Sequence, residues 1–421
     1  MDKFVIRGGK KLSGETSISG AKNSALVLMP ATLLTSGINV IENTPEVNDI
    51  YTMIKLLKQL GVESDFADHK LTLNTSNIIS QTAPYEHVKK MRASTYVLGP
   101  FLARYGKAKV SMPGGCAWGP RPINLHLEAM KKLGAEIRLE EGYIIAGANK
   151  LHGAKIHFDI SSVGATGNAL MAATLAKGTT LLTNAAIEPE ITLLAQYLSF
   201  MGAIINGIGT TSIEIQGVDE LKPANITNIS DRIEAGTLLI AGAITKSKII
   251  LTNIDHNLLD LVLIKLEDSG VKIAVSNDLI HLDATELDIK SVDVTTAVYP
   301  GFPTDMQAQW TSFMSLANGI ATITDSIYHD RFNHIPELIR LGASIEVNNN
   351  SAVVKGVNNL RGAKVMSTDL RASASLVLAG LAAEGVTEVL RIYHLDRGYQ
   401  KIEEKLRNLG ADIVREKTSE F

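Results

Sequence analysis

Along the chain, apolar stretches of helical length alternate with short strand-like stretches, and one turn between them keeps returning. A helical stretch ends in an apolar residue or Ser, then comes Gly, then Ala or Val. The copies are Leu60-Gly61-Val62, Leu133-Gly134-Ala135, Met201-Gly202-Ala203, Ser269-Gly270-Val271, Leu341-Gly342-Ala343 and Leu409-Gly410-Ala411. They stand roughly seventy residues apart, a longer period than solenoid repeats use. Glycine after a helix is the expected left-handed cap. The residues after that glycine read as strand, as in Glu136-Ile137-Arg138-Leu139 and Ser344-Ile345-Glu346-Val347.

Each unit also carries an earlier helix that runs through a turn into a strand. Residues 168–176 lead through Lys177-Gly178 into Thr179-Thr180-Leu181-Leu182, and residues 234–243 lead into Lys248-Ile249-Ile250-Leu251. Residues 372–383 lead into Thr387-Glu388-Val389-Leu390, and residues 25–34 into Gly37-Ile38-Asn39-Val40-Ile41. The predicted module is strand–helix–strand–helix–strand–strand, of mixed α/β class. Its earlier helices are apolar nearly all round, as in Ala169-Leu170-Met171-Ala172-Ala173-Thr174-Leu175-Ala176. Such helices belong in the interior with sheets outside, the reverse of an ordinary barrel.

Six modules divide as three plus three, and two domains suit a chain of 421 residues. The first cut falls near residues 223–229, where Pro- and Asn-rich sequence separates two modules. A three-fold globule needs its last strands, so Phe4-Val5-Ile6 is expected to complete the C-terminal domain. The expected domains are 22–229, and 1–21 plus 230–421.

A formal net charge of −3 points to no nucleic-acid or membrane-surface partner, so any anion site must be built from a few placed Arg and Lys residues. A single cysteine, Cys116, excludes an internal disulfide and a multi-cysteine metal site. It suits a reducing compartment. The first nine residues lack a signal-peptide stretch, and no apolar run reaches the length of about 18 residues that spans a bilayer. A soluble, cytoplasmic protein is expected.

Three features carry candidate chemistry. Residues 113–122, Pro-Gly-Gly-Cys-Ala-Trp-Gly-Pro-Arg-Pro, hold three Gly and three Pro and must form a loop. A lone cysteine is more often an inert core residue, but here it sits in a Gly-rich loop near Arg121, and nearby cationic charge raises thiol reactivity. Second, Lys22 stands where a strand hands over to a helix, and helix starts favour anions. Arg92, Arg232 and Arg371 occupy the matching place in other repeats, and Arg331 and Arg397 lie later in repeats five and six. Any one of them reads as a surface salt bridge; several at equivalent repeat starts read as an anion pocket. Third, Asp305 puts a carboxylate at that repeat position. Alone it reads as a helix cap; opposite a cationic pocket it is a general-base candidate.

The ordered set Gly20-Ala21-Lys22-Asn23, Met91-Arg92-Ala93-Ser94, Pro113-Gly114-Gly115-Cys116, Arg121-Pro122, Ser162-Val163-Gly164-Ala165-Thr166, Asn184-Ala185-Ala186 with Glu188-Pro189-Glu190, Pro303-Thr304-Asp305-Met306-Gln307, Asp369-Leu370-Arg371-Ala372 and Arg397-Gly398-Tyr399 resembles the UDP-N-acetylglucosamine enolpyruvyl transferases from end to end. The resemblance implies a two-domain inside-out α/β barrel of three repeats per domain. It implies transfer of the enolpyruvyl group of phosphoenolpyruvate to the 3′-hydroxyl of UDP-N-acetylglucosamine, by addition and then elimination of phosphate, with no cofactor and no metal. Cys116 matches the family's general acid and covalent-adduct site, the target of thiol-directed epoxides such as fosfomycin. Asp305 matches the group that takes the sugar proton. Lys22, Arg121 and Arg397 match residues that hold phosphoenolpyruvate, with Arg331 and Arg371 nearby. Asn23, Arg92, Arg121, Pro122, Ile123, Asn124, Leu125, Ser162, Val163, Gly164 and Ile327 match the nucleotide-sugar site. Asn124, Ile160, Trp118 and Pro120 depart from the family's usual residues, at positions the resemblance ties to nucleotide contact and loop closure. Three other readings stand beside this one: the related 5-enolpyruvylshikimate 3-phosphate branch, a silent nucleotide-sugar-binding paralogue, and a repeat scaffold without chemistry.

Overall fold

The seventy-residue period becomes six four-stranded sheets with helices between them. The structure, a computed structural model, describes residues 1–89, 91–112 and 123–419. One unit shows the construction. Lys155–His157 pairs in parallel with Thr179–Thr183, because the helix Val163–Ala173 connects them. Ser212–Gln216 then pairs antiparallel with Thr179–Thr183, and Ile204–Asn206 with Ser212–Gln216, after the helix Pro189–Phe200. The order across the sheet is first, second, fourth, third strand of the unit. The turn glycines of all six copies have φ between 94° and 107°, a conformation that costs a residue with Cβ.

Three sheets are assembled from contiguous sequence and three borrow a strand from far away. Asn225–Thr227 lies beside Ile38–Glu42, with Ile226 opposite Ile41. Ser13–Ser17 lies beside Lys248–Thr252. Asp2–Arg7 sits between Val386–Leu390 and Asp412–Lys417, with Phe4 and Ile6 fully buried. The stretch 223–229, expected as a separator, is therefore partly a sheet strand: Ile226 is buried and its backbone completes a ladder. All six sheets are open among the described residues, so neither unit contains a closed barrel of strands.

The chain divides into two compact units, Met1–Ser19 with Ser230–Phe421, and Gly20–Ile229. Each has its own apolar core. The helix Arg232–Ile244 is buried from Ile233 to Ile244, as its all-round apolar sequence requires. Asp231 caps it by accepting from the Ile233 and Glu234 N–H groups at 2.8 and 3.1 Å. Strands alternate instead: in Ser212–Gln216 only Ile213 and Ile215 are buried. Lys405 fixes the end of the Ser13–Ser17 strand. Its Nζ donates to Glu234 Oε1 at 2.6 Å, Ser19 Oγ at 2.7 Å and the Ser17 carbonyl at 2.9 Å. Burial pushes the Glu234 carboxyl pKa up, against the pull of Lys405. No helix among the described residues is long and apolar enough to cross a membrane.

Candidate active site

The expected site residues fall into two groups, one in each unit, while Cys116, Arg121 and Pro122 lie outside the described residues. In the unit Gly20–Ile229, Lys22 opens the helix Lys22–Ala31, whose N-cap Ala21 offers no side chain to its free N–H groups. Lys22 is nearly buried, and its Nζ stands 3.2 Å from Asp49 Oδ2. Asn23 beside it is exposed. Arg92 opens the short helix Arg92–Val97 and is half-buried. Asn124 opens the helix Asn124–Lys132 with its side chain exposed, while Ile123 and Leu125 are half-buried. Ser162 caps the helix Val163–Ala173, accepting from the Ala165 N–H at 3.3 Å.

His126 joins these pieces, and sequence reasoning missed it. Asn168 Nδ2 lies 2.9 Å from His126 Nδ1 and also donates to the Thr95 carbonyl at 3.1 Å, while Asn168 Oδ1 accepts from the Gly99 N–H at 2.9 Å. The opposite ring nitrogen faces Gly164, where a Cβ would come within 2.8 Å of Nε2; any larger residue at 164 must displace the imidazole. The signal for His126 was a polar residue on the buried face of a helix, which also fits a satisfied core histidine. Burial, and then the Arg92 charge, lowers the His126 pKa to about 4. A histidine held neutral in the fold contributes stability that is complete above its unfolded pKa of about 6.5 and is lost as pH falls toward 4. The difference amounts to about 3 kcal/mol. His126→Gln is therefore expected to show a smaller drop in urea midpoint between pH 7 and pH 4.5 than the parent chain. Equal drops would refute the assignment.

In the other unit, Asp305 lies in the short helix Thr304–Met306, ahead of Gln307–Met314, and caps neither. It is instead gripped by two arginines. Arg331 Nη2 reaches Asp305 Oδ1 at 2.8 Å, and Arg371 Nη2 reaches Oδ2 at 2.6 Å. Both arginines are buried while the carboxylate remains a quarter exposed, so the anion faces outward from a cationic floor. Burial opposes the Arg371 charge, but the Asp305 carboxylate carries its pKa above the ordinary arginine value. The Arg371 guanidinium lies 5.4 Å from the centre of the Tyr399 ring. The Tyr399 hydroxyl is 2.9 Å from Thr237 Oγ1 and accepts from Gln309 Nε2 at 3.2 Å, and that same nitrogen donates to the Asp305 carbonyl at 2.9 Å. Burial pushes the Tyr399 pKa up, against Arg371. Arg397 ends the short helix Ile392–Arg397, two residues before Tyr399, and is half-buried. Ile327 is half-buried, and its N–H donates to Asp325 Oδ1 at 2.9 Å.

The structure thus brings Asp305, Arg331 and Arg371 into direct contact, and sets His126 between Gly164 on one ring nitrogen and Asn168 on the other. A carboxylate backed by two guanidiniums can accept a proton from a hydroxyl, and the guanidiniums can take up phosphate or carboxylate oxygens. Among the described residues, no group of three His, Cys, Asp or Glu side chains is placed to hold a metal ion.

Comparison with known proteins gives the architecture a family. The profile of EPSP synthase (3-phosphoshikimate 1-carboxyvinyltransferase) matches residues 6–406. The chain is 60% identical to a UDP-N-acetylglucosamine 1-carboxyvinyltransferase of Chloroherpeton thalassium, over 100% of this chain and 99% of that protein. It is 58% identical to the protein of that name from Prosthecochloris aestuarii, over the whole of both. Among solved structures, the enolpyruvyl transferase NikO from Streptomyces tendae superposes with a TM-score of 0.90 at 27% identity, covering 99% of each chain. EPSP synthase from Acinetobacter baumannii shares the fold, with a TM-score of 0.78 at 18% identity over 99% of this chain and 100% of that one. The chain belongs to the enolpyruvyl transferase family, and within it to the UDP-N-acetylglucosamine 1-carboxyvinyltransferases.

Proposed function

We propose that this protein transfers the enolpyruvyl group of phosphoenolpyruvate to the 3′-hydroxyl of UDP-N-acetylglucosamine and releases phosphate, in the synthesis of peptidoglycan precursor. The full-length likeness to carboxyvinyltransferases of that acceptor carries the reading. Asp305 accepts the hydroxyl proton. The sugar oxygen then attacks the carbon that bears the phosphate, while Cys116 delivers a proton to the methylene carbon. Phosphate then leaves the tetrahedral adduct while one proton of the newly formed methyl group returns to the Cys116 thiolate, which restores the double bond. Lys22, Arg121 and Arg397 hold the donor's phosphate and carboxylate, and Arg331 and Arg371 serve the same anion. Dense negative charge needs such a cluster both to bind and to stabilise charge that moves during the reaction. An anion that takes up the Arg371 guanidinium also frees Asp305 Oδ2 to accept a proton, while Arg331 stays on Oδ1. Asn23, Arg92, residues 121–125, Ser162–Gly164 and Ile327 hold the nucleotide sugar.

The same reading gives each unit the family's inside-out arrangement, with three open sheets around buried helices. Support comes from helices such as Leu370–Ala382, buried from Arg371 to Leu381, and from strands such as Ile320–Thr324, where only Ala321 and Ile323 are buried. A cytoplasmic location is inferred from its small, charged substrates. The test is phosphate release with phosphoenolpyruvate and UDP-N-acetylglucosamine together and separately, and with shikimate 3-phosphate as the other acceptor. Release is expected only with the first pair. Release with shikimate 3-phosphate alone as acceptor would move the protein to the other branch, and none with either would make it a binding paralogue.

A further inference from the structure

One buried carboxylate near Asp305 takes no part in either proton transfer. Asp325 is fully buried at the end of the strand Ile320–Thr324 and accepts four hydrogen bonds. Its Oδ1 takes Thr296 Oγ1 at 2.8 Å, the Ile327 N–H at 2.9 Å and the Tyr328 N–H at 2.8 Å. Its Oδ2 takes the Thr304 hydroxyl at 2.7 Å. With its proton committed to Asp325, the Thr304 oxygen presents a lone pair, and Arg331 Nη1 donates to it at 3.0 Å. The other terminal nitrogen of that guanidinium grips Asp305 Oδ1 at 2.8 Å. The line Asp325, Thr304, Arg331, Asp305 therefore alternates acceptor and donor without a break.

We propose that Asp325 and Thr304 are positioning residues for the transfer: through Arg331 they aim the Asp305 carboxylate, and through the turn at Ile327 Asp325 sets the adjoining nucleotide-sugar contact. The inference rests on the proposed roles of Asp305 and Ile327. A fully buried carboxylate is retained at a cost unless its hydrogen bonds do something a neutral group cannot. Here it orients a hydroxyl whose only remaining capacity is to accept, so the planar guanidinium beside it has one good orientation. Asp305 is also held by Arg371, from the helix Leu370–Ala382. With Arg331 loosened, one carboxylate oxygen stays fixed and the other swings. Misplacement of a reacting group by about 1 Å costs on the order of 100-fold in rate.

Thr304→Val keeps the shape and deletes the hydroxyl. Its kcat is expected to fall about 10- to 100-fold, with KM for UDP-N-acetylglucosamine within about twofold of the parent value. Thr304→Ser restores the hydroxyl and should recover most of that loss. Asp325→Ala, which also frees the Ile327 turn, should lower kcat to a similar degree and raise KM for the nucleotide sugar about tenfold or more. All are to be assayed well below their melting temperatures, with Asp305→Ala alongside. A purely structural role predicts lowered melting temperatures with unchanged kcat, and Thr304→Ser no better than Thr304→Val; either result overturns the proposal. If Asp305→Ala itself keeps full turnover, the base assignment falls and this proposal with it. If Asp305→Ala is inactive while Thr304→Val turns over like the parent, only the positioning proposal falls.

Discussion

Asp305→Ala is expected to lower kcat by about 10²- to 10⁴-fold, the range that general-base groups supply. The geometry makes this more than a charge deletion. Asp305 is the partner of two buried arginines, at 2.8 and 2.6 Å, and its loss leaves both guanidiniums facing one another. Because the carboxylate is a quarter exposed, water and buffer anions partly replace it, and the stability loss should stay near about 1–2 kcal/mol. Asp305→Asn separates the two effects. It keeps one oxygen for an arginine and the shape of the site, but it cannot take up a proton. Turnover of the Asn variant should fall as far as that of the Ala variant, while its melting temperature stays closer to the parent's. An Asn variant within threefold of parent kcat would remove Asp305 from the proton transfer.

Cys116→Ser is expected to suppress turnover to a comparable degree, because a hydroxyl is a far weaker acid than a thiol. Cys116→Asp should retain activity, since a carboxylic acid also donates a proton, and should resist thiol-directed epoxides. The motive is chemical: a lone thiol between Gly-Gly and Ala-Trp, with Arg121 five residues on. Complete alkylation of Cys116 in a protein that stays fully active would end this assignment. The Asp variant separates acid chemistry from mere intolerance of change, because a position that tolerates no substitution would lose activity with Asp as well as with Ser.

The period, the mixed α/β make-up of its repeat and the placement of the capping glycines were legible in the amino-acid order alone. Those are short-range matters. A glycine such as Gly61 or Gly342 takes a backbone conformation that its neighbours cannot, so the turn is written where it occurs. The all-round apolar stretch 169–176 read as a buried helix; the observed helix Val163–Ala173 starts earlier, where Ser162 caps it, and ends three residues sooner. Candidate chemistry was also legible where it took the form of a residue type out of place, as with Asp305 among cationic repeat starts. What that residue does with its neighbours was not legible. Read as a helix cap or as a base, Asp305 gave no hint that Arg331 and Arg371, 26 and 66 residues away, would close on its two oxygens. Nor did His126, Asn168, Tyr399 or Asp325 announce the contacts that organise the residue groups in each unit.

Strand partnership was likewise settled by long-range packing. Asp2–Arg7, Ser13–Ser17 and Asn225–Thr227 complete sheets whose other strands lie far along the chain. Backbone ladders carry almost no residue label, since every strand edge offers the same N–H and C=O groups. A strand therefore pairs where its buried residues find a core to enter. The repeat count called for Phe4-Val5-Ile6 in the C-terminal domain, but their seat between Val389 and Ile413 was chosen by packing across more than 380 residues of chain.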